Sequence, residues 1–389
     1  MMKLSLAALF LTGAMAAEAE HLGSVDKTLI DSTYTPGEDF YRYVNNGWMK
    51  AHPLTDEYAR YDMFNVLNDK AEENVKDIVM NLGASNPEKG TNAFKVWTLY
   101  SQGMDSVRRN NEGATPILAD LKKIENTPAE GMEDLFLWMH GNYSSPFFGA
   151  GPMEDLADSN VYAMYVSGGS LGLGDRDYYL LNDKENTKIR EAYKKLIVSQ
   201  MRNAGYSKKD ADRIMKNVLK IETALADSTW TREESRNIPA MYNPRSIEQL
   251  KEMYPHINWD RFFIETMGIA TPEQVIVTEI NTVKQADNLM ASLSDREKKD
   301  YYLWKYVAQA APYLSDKFTE TSFEFSKVMS GVKQMRPRWK RALGTADGYM
   351  GEAIGQLYVE EFFPESSKEK MLELVGNLRK ALGKHIINL

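Results

Sequence analysis

Residues 56–69 read DEYARYDMFNVLND and set one arginine, Arg60, among Tyr58, Tyr61, Met63 and Phe64. A guanidinium carries five donors and no acceptor. On so aromatic a stretch it either lies on a solvated face or meets an anion from outside the chain. Other familiar chemistry is missing. With no cysteine there is no thiol nucleophile and no thiolate metal site. The five histidines, His21, His52, His140, His256 and His385, form no H-E-x-x-H and no other i, i+4 pair. No helix face therefore presents two imidazoles to a metal. There is no Walker A loop and no G-x-G-x-x-G after a strand. The run GGSLGLGD lacks the lysine of a phosphate loop and reads as a tight turn. Carboxylate pairs such as Asp175 with Asp177, or Glu233 with Glu234, do not by themselves indicate acid–base catalysis.

The elements that must position these residues are mostly helices, with minor β. NTKIREAYKKLIVSQMRNAGYS places Ile189, Ala192, Tyr193, Leu196, Ile197 and Met201 on one face and stops at Gly205. SKKDADRIMKNVLKIETALADS restarts with Ser207 and Asp210 as a capping box and carries Ile214, Val218, Ile221 and Leu225 as its stripe. The two predict a helical hairpin. SLSDREKKDYYLWKYVAQAAPYL predicts another long helix, while NVYAMYV (160–166) and QVIVTEI (274–280) predict short strands. No linker splits the region after residue 36, so residues 36–389 read as one mainly α-helical unit behind an extended lead-in over 20–35.

At 389 residues, 43% hydrophobic, the chain is long enough for a substantial core. Its net charge of -8, with no Lys/Arg-rich stripe, argues against nucleic acid. The start, MMKLSLAALFLTGAMAAEA, has a basic tip, a short apolar core and small residues. It predicts a secretory signal peptide over residues 1–19, cleaved after Ala16 or Ala19. No later stretch is apolar enough to span a membrane. Export without cysteine suits a bacterial periplasm or exterior. At the other end, Ser366 and Glu369 after Pro364 predict a capping box. Met371, Leu374, Val375, Leu378, Leu382, Ile386 and Leu389 then form an apolar stripe with no stop signal, which reads as a truncated chain. Composition and spacing alone reach an exported helical protein without a visible catalytic centre.

Ordered motifs carry the reading further. PGEDFYRYVNNGWMK (36–50) resembles the opening of the neprilysin-type zinc metallopeptidases, and EYARYDMFNVLND the segment that follows it. SGGSLGLGDRDYYL, ETALADSTWTREESRN and RWKRALGTADGYMGEAIGQLYVEEFF are similar to later family motifs in order and spacing. The resemblance covers residues 36–389. It implies the large helical N-terminal lobe of a two-lobed, exported zinc metalloendopeptidase that encloses short peptide substrates. In such an enzyme zinc polarises the scissile carbonyl and activates water. The family's zinc ligands and catalytic residues lie beyond this chain. No metal or catalytic residue is expected here, no activity from this chain alone, and the partner implied is the missing C-terminal catalytic lobe.

The resemblance also gives Arg60 an anion. The matching family arginine meets the C-terminal carboxylate of the peptide, which a planar guanidinium can hold with two parallel bonds. Phe64, one helical turn on, matches a residue lining the pocket for the side chain just after the cut bond. Two departures matter: Asp62 stands where the family usually has Gly, and Asn68 where a supporting arginine is usual. Arg176 and Asp177 read as a structural ion pair beside the glycine turn, as do Arg232 and Arg236 in their motif. Gly174 stands in place of the family's proline and is expected to loosen the turn but leave its role. The alternatives are a non-catalytic exported peptide-binding module that keeps Arg60, and a helical scaffold without a ligand.

Overall fold

The computed structural model describes residues 26–142 and 145–387. The segment read as a signal peptide, and Leu389, lie outside the described residues. The helices of nine residues or more are α1 (Phe40–Ala51), α2 (Met63–Ala84), α3 (Asn92–Met104), α4 (Leu118–Asn126), α5 (Met132–Asn142) and α6 (Lys184–Asn203). They continue with α7 (Lys208–Ser228), α8 (Ile280–Ser292), α9 (Asp295–Ala310), α10 (Asp316–Ser330), α11 (Arg338–Phe362) and α12 (Glu365–Ile387). The chain is mainly helical with one small sheet. Among the described residues no helix is long and apolar enough to cross a membrane.

Two compact units result. The first holds the described part of Met1–Thr55 together with Arg60–Met63; the second holds Asp56–Ala59 and Phe64–Leu389. In the first, α1 is capped by Asp39, whose side chain accepts from the Arg42 N–H at 2.9 Å. Within the stretch read as a lead-in, Lys27–Leu29 forms a single 3-10 turn.

The second unit is built around the hairpin of α6 and α7. The apolar stripe of α7 is buried throughout, Ile214, Val218, Ile221 and Leu225 all facing the core. The Ser207 hydroxyl accepts from the Asp210 N–H at 3.1 Å. The Asp210 carboxylate accepts from that same hydroxyl at 2.6 Å instead of reaching back to the cap backbone. The predicted box is therefore half formed, because aspartate is one carbon shorter than the glutamate that completes it. At the start of α9, Ser294 and Glu297 form the complete version.

The sheet runs β1 (Phe148–Glu154), β2 (Tyr162–Gly168), β4 (Gln274–Val277), β3 (Pro244–Ser246) in spatial order. β2 pairs antiparallel with β1 and parallel with β4, while β3 pairs antiparallel with β4. The strand expected at 160–166 lies two residues later. The one expected at 274–280 ends at Val277, since Ile280 already opens α8. A second apolar cluster joins α2, α3 and α11 through Val79, Val96, Tyr100, Leu343, Ala346 and Ile354.

The start of α12 corrects the sequence reading. The first turn is built on the Pro364 carbonyl, which accepts from the Ser367 N–H at 2.9 Å. Ser366 lies inside that turn and does not cap it. The ring of Pro364 pre-sets a backbone angle suited to a helix start, so no serine cap is required. The stripe Met371, Leu374, Val375, Leu378, Leu382 and Ile386 is exposed, between 46% and 60%.

Candidate functional site

In the first unit, the motif around α1 is held by Asp31. Its carboxylate accepts from Lys50 Nζ at 2.7 Å and from Asn46 Nδ2 at 2.5 Å. The Lys50 ammonium, with Thr33 and Asn46, holds Asp31 well below the usual carboxylate range. The Trp48 ring stacks on His52 (centroids 4.5 Å apart) and on Tyr61 (6.3 Å). Next to that stacked tyrosine stands Arg60, in a bend and exposed. Among the described residues its guanidinium enters no hydrogen bond or ion pair.

In the second unit, residues 56–59 are anchored from both backbone and side chains. The Lys333 and Gln334 N–H groups donate to the Asp56 carbonyl, each at 2.9 Å. The Tyr58 hydroxyl donates to Asp69. Lys340 Nζ donates to Asp69 at 2.7 Å and lies 3.4 Å from Glu57, and Arg336 pairs with Glu72. Burial alone would lower the Lys340 pKa, but Asp69 and Tyr58 outweigh it and hold the ammonium charged. Burial and the Asp69 carboxylate push Tyr58 up to about 12. The pinned segment ends at Ala59, the residue before Arg60.

Phe64 is the second residue of α2 and is 82% exposed. It belongs to the second unit and Arg60 to the first. The expectation that Phe64 lies one helical turn beyond Arg60 is corrected: α2 begins only at Met63, so Arg60 precedes the helix. Asp62 stands just ahead of the first turn and Asn68 is exposed on α2.

The glycine turn answers to a different carboxylate. Glu222 on α7 is fully buried and accepts from the Tyr179 and Tyr193 hydroxyls at 2.8 and 2.9 Å. Trp304 Nε1 donates to Tyr193 at 3.0 Å, the Leu173 N–H to Tyr179 at 2.9 Å, and Lys305 Nζ to the Ser170 carbonyl at 3.1 Å. Burial raises Glu222 against the opposing Lys305 charge and the two hydroxyls, and burial lowers Lys305. A Cβ on Gly172 would sit 1.9 Å from the Tyr193 oxygen, so only glycine lets the turn close on this cluster. Gly174 adopts φ +80, which a proline ring cannot reach, so the turn here is not a loosened copy of one containing proline.

The predicted Arg176–Asp177 pair does not form. Asp175, not Asp177, takes an arginine, and the arginine is Arg232. Neighbouring residues on a tight turn point apart, whereas Arg232 reaches Asp175 from a separate segment. Arg236 lies exposed in a 3-10 turn. The histidines are dispersed. Burial pushes His140 down to about 4, with Phe136, Phe148 and Phe262 around its ring. His256 Nδ1 lies 3.0 Å from Asp287. Among the described residues no group of three His, Cys, Asp or Glu could hold a metal ion.

A family model described as peptidase family M13 matches residues 36–389. The chain belongs to that family. Its N-terminal M13 domain is 28% identical over 364 residues to rat endothelin-converting enzyme 1, covering 90% of this chain and 47% of the relative. It is 26% identical over 373 residues to Neprilysin-1 of Caenorhabditis elegans, covering 89% and 49%. Among solved structures, the zinc metalloprotease Zmp1 of Mycobacterium tuberculosis in complex with an inhibitor superposes with a TM-score of 0.83 at 26% identity. That match covers 92% of this chain and 54% of the other. The chain thus spans about half the length of the curated relatives it matches. Zinc and protease activity belong to the name of the Mycobacterium tuberculosis protein, and the described residues of this chain hold no group that fits a zinc site.

Proposed function

We propose that this chain is the substrate-enclosing N-terminal lobe of an exported zinc metalloendopeptidase acting on short peptides. Zinc and the catalytic residues would be supplied by a C-terminal lobe outside these 389 residues. The observation that carries the reading is the M13 match over residues 36–389. Within it, Arg60 binds the terminal carboxylate of the peptide and Phe64 flanks the side chain after the cut bond. Arg60 suits that role because it is exposed and has no counter-ion among the described residues. A free guanidinium fork matches a carboxylate in two parallel bonds. Phe64 offers an exposed apolar ring. The test pairs metal analysis with a fluorogenic short-peptide assay. The protein translated from the whole reading frame should bind zinc stoichiometrically, cleave the peptide and lose activity to a chelator. Residues 1–389 alone should do neither. Stoichiometric zinc with turnover from this chain alone, or no cleavage by the whole product, would overturn the reading.

A further inference from the structure

A cavity of about 580 Å³ opens in the second unit between α3, residues 312–313, α10 and the start of α11. Five cations line it, Arg109, Arg336, Arg338, Lys340 and Arg341, and no aspartate or glutamate does. In a chain of net charge -8 that is a local inversion. Four of the five are answered by carboxylates outside the lining or by backbone carbonyls. Arg336 and Lys340 face Glu72, Asp69 and Glu57. Arg338 reaches Asp316. Arg109 spends its donors on backbone, with Nε 3.0 Å from the Leu314 carbonyl and Nη2 2.6 Å from that of Pro312.

Arg341 differs. Its Nε donates to the Arg336 carbonyl at 3.1 Å. Among the described residues its two Nη groups have no hydrogen-bond partner and no carboxylate is within ion-pair distance. Burial and the neighbouring Arg338 charge push both Arg109 and Arg341 down from the usual guanidinium range, against the opposing pull of the Asp316 carboxylate, the mark of cations crowded together. The rest of the wall is apolar or hydroxylated. Tyr313 and Tyr349 touch through their hydroxyls at 3.0 Å, and Phe323 and Met335 line the same space. A volume in the hundreds of Å³ with aromatic walls and a few convergent polar groups is the usual form of a small-molecule site.

We propose that this cavity binds an organic carboxylate with an apolar body, its carboxylate held by the Nη fork of Arg341 and its body against Tyr313, Phe323 and Tyr349. The site goes beyond the reading of Arg60 and does not depend on it. A planar fork with two unsatisfied nitrogens matches a carboxylate, and the aromatic wall favours a carboxylate over inorganic phosphate.

Calorimetric titration of the purified protein tests it, with N-acetyl-L-phenylalanine as the probe. Its amide and inorganic phosphate are the comparison ligands. The acid should bind saturably, the amide at least tenfold more weakly, and phosphate more weakly than the acid. Arg341→Gln should lose at least tenfold in affinity with its melting curve retained, and Arg60→Ala should lose nothing. If Arg341→Gln fails to fold, Tyr349→Ala, on an exposed ring, should lose at least threefold. Equal binding of acid and amide would overturn the proposal. So would absence of saturable binding, tighter binding of phosphate, or unchanged affinity in the folded variants.

Discussion

Glu222 and Arg60 are both single charges set among aromatic rings, and they end in opposite states. Glu222 lies fully buried, with two tyrosine hydroxyls on its oxygen and Lys305 close by. Arg60 lies exposed, with no hydrogen bond or ion pair among the described residues. Burial of a charge is tolerated when the chain supplies its partners, and the two hydroxyls with Lys305 do that for Glu222 as the cluster closes a turn. An exposed guanidinium costs little to keep unpaired and remains available. The difference separates charge that holds the fold from charge that can recognise something else.

The largest expected effect falls on the buried side. Glu222→Ala leaves Lys305 buried without its counter-charge and should cost about 3–5 kcal/mol in urea unfolding. The double variant Glu222→Leu/Lys305→Met should cost less than either single change if the cluster is a matched pair. Additive losses would break that side of the comparison.

His140 sharpens the same point through pH. Its folded pKa, about 4, lies below the unfolded value near 6.5. Above pH 6.5 both states hold it neutral and its contribution is full. Between 6.5 and 4 the unfolded chain takes up a proton that the folded chain refuses, so stability falls with pH, by about 3 kcal/mol at most. Urea midpoints across that range should decline, and His140→Leu should flatten that part of the curve. An unchanged slope in the variant would place the titration elsewhere.

The smallest effect belongs to an exposed charge that does have a partner. Arg232 is 69% exposed and pairs with Asp175. Arg232→Ala should cost under about 1 kcal/mol in the same assay, as surface pairs do. A loss of several kcal/mol would mean that exposure is a poor guide to which charges hold this fold.

Much of the helical frame was legible in the sequence. The α6–α7 hairpin could be read because Gly205 and Ser207 mark its corner and both stripes keep the 3.6-residue period. β1 was missed because FGAGPME carries two glycines and a proline, and its strand form comes from pairing along the whole of β2. Glu222 had a visible signal, since it follows Ile221 on the buried face of α7, where a carboxylate must find partners. The Arg341 cavity had none. Its walls are joined by contacts such as Arg109 to Leu314, which are 205 positions apart. Arg60 could be singled out by its aromatic setting, but the start of α2 at Met63, beyond it, carried no capping-box signal in the sequence.

The most direct test of the account is the response of the complete protein to Arg60→Ala with paired substrates. Peptides ending two residues past the cut bond would be compared as free acids and as C-terminal amides. A charge-assisted bond is worth roughly 1.5–3 kcal/mol, so kcat/KM for the acids should fall about ten- to 150-fold. Asp62 and Asn68 push the loss toward the low end. The amides, which never offered the carboxylate, should fall far less. Equal losses for acid and amide would contradict the account and make Arg60 a residue of the fold.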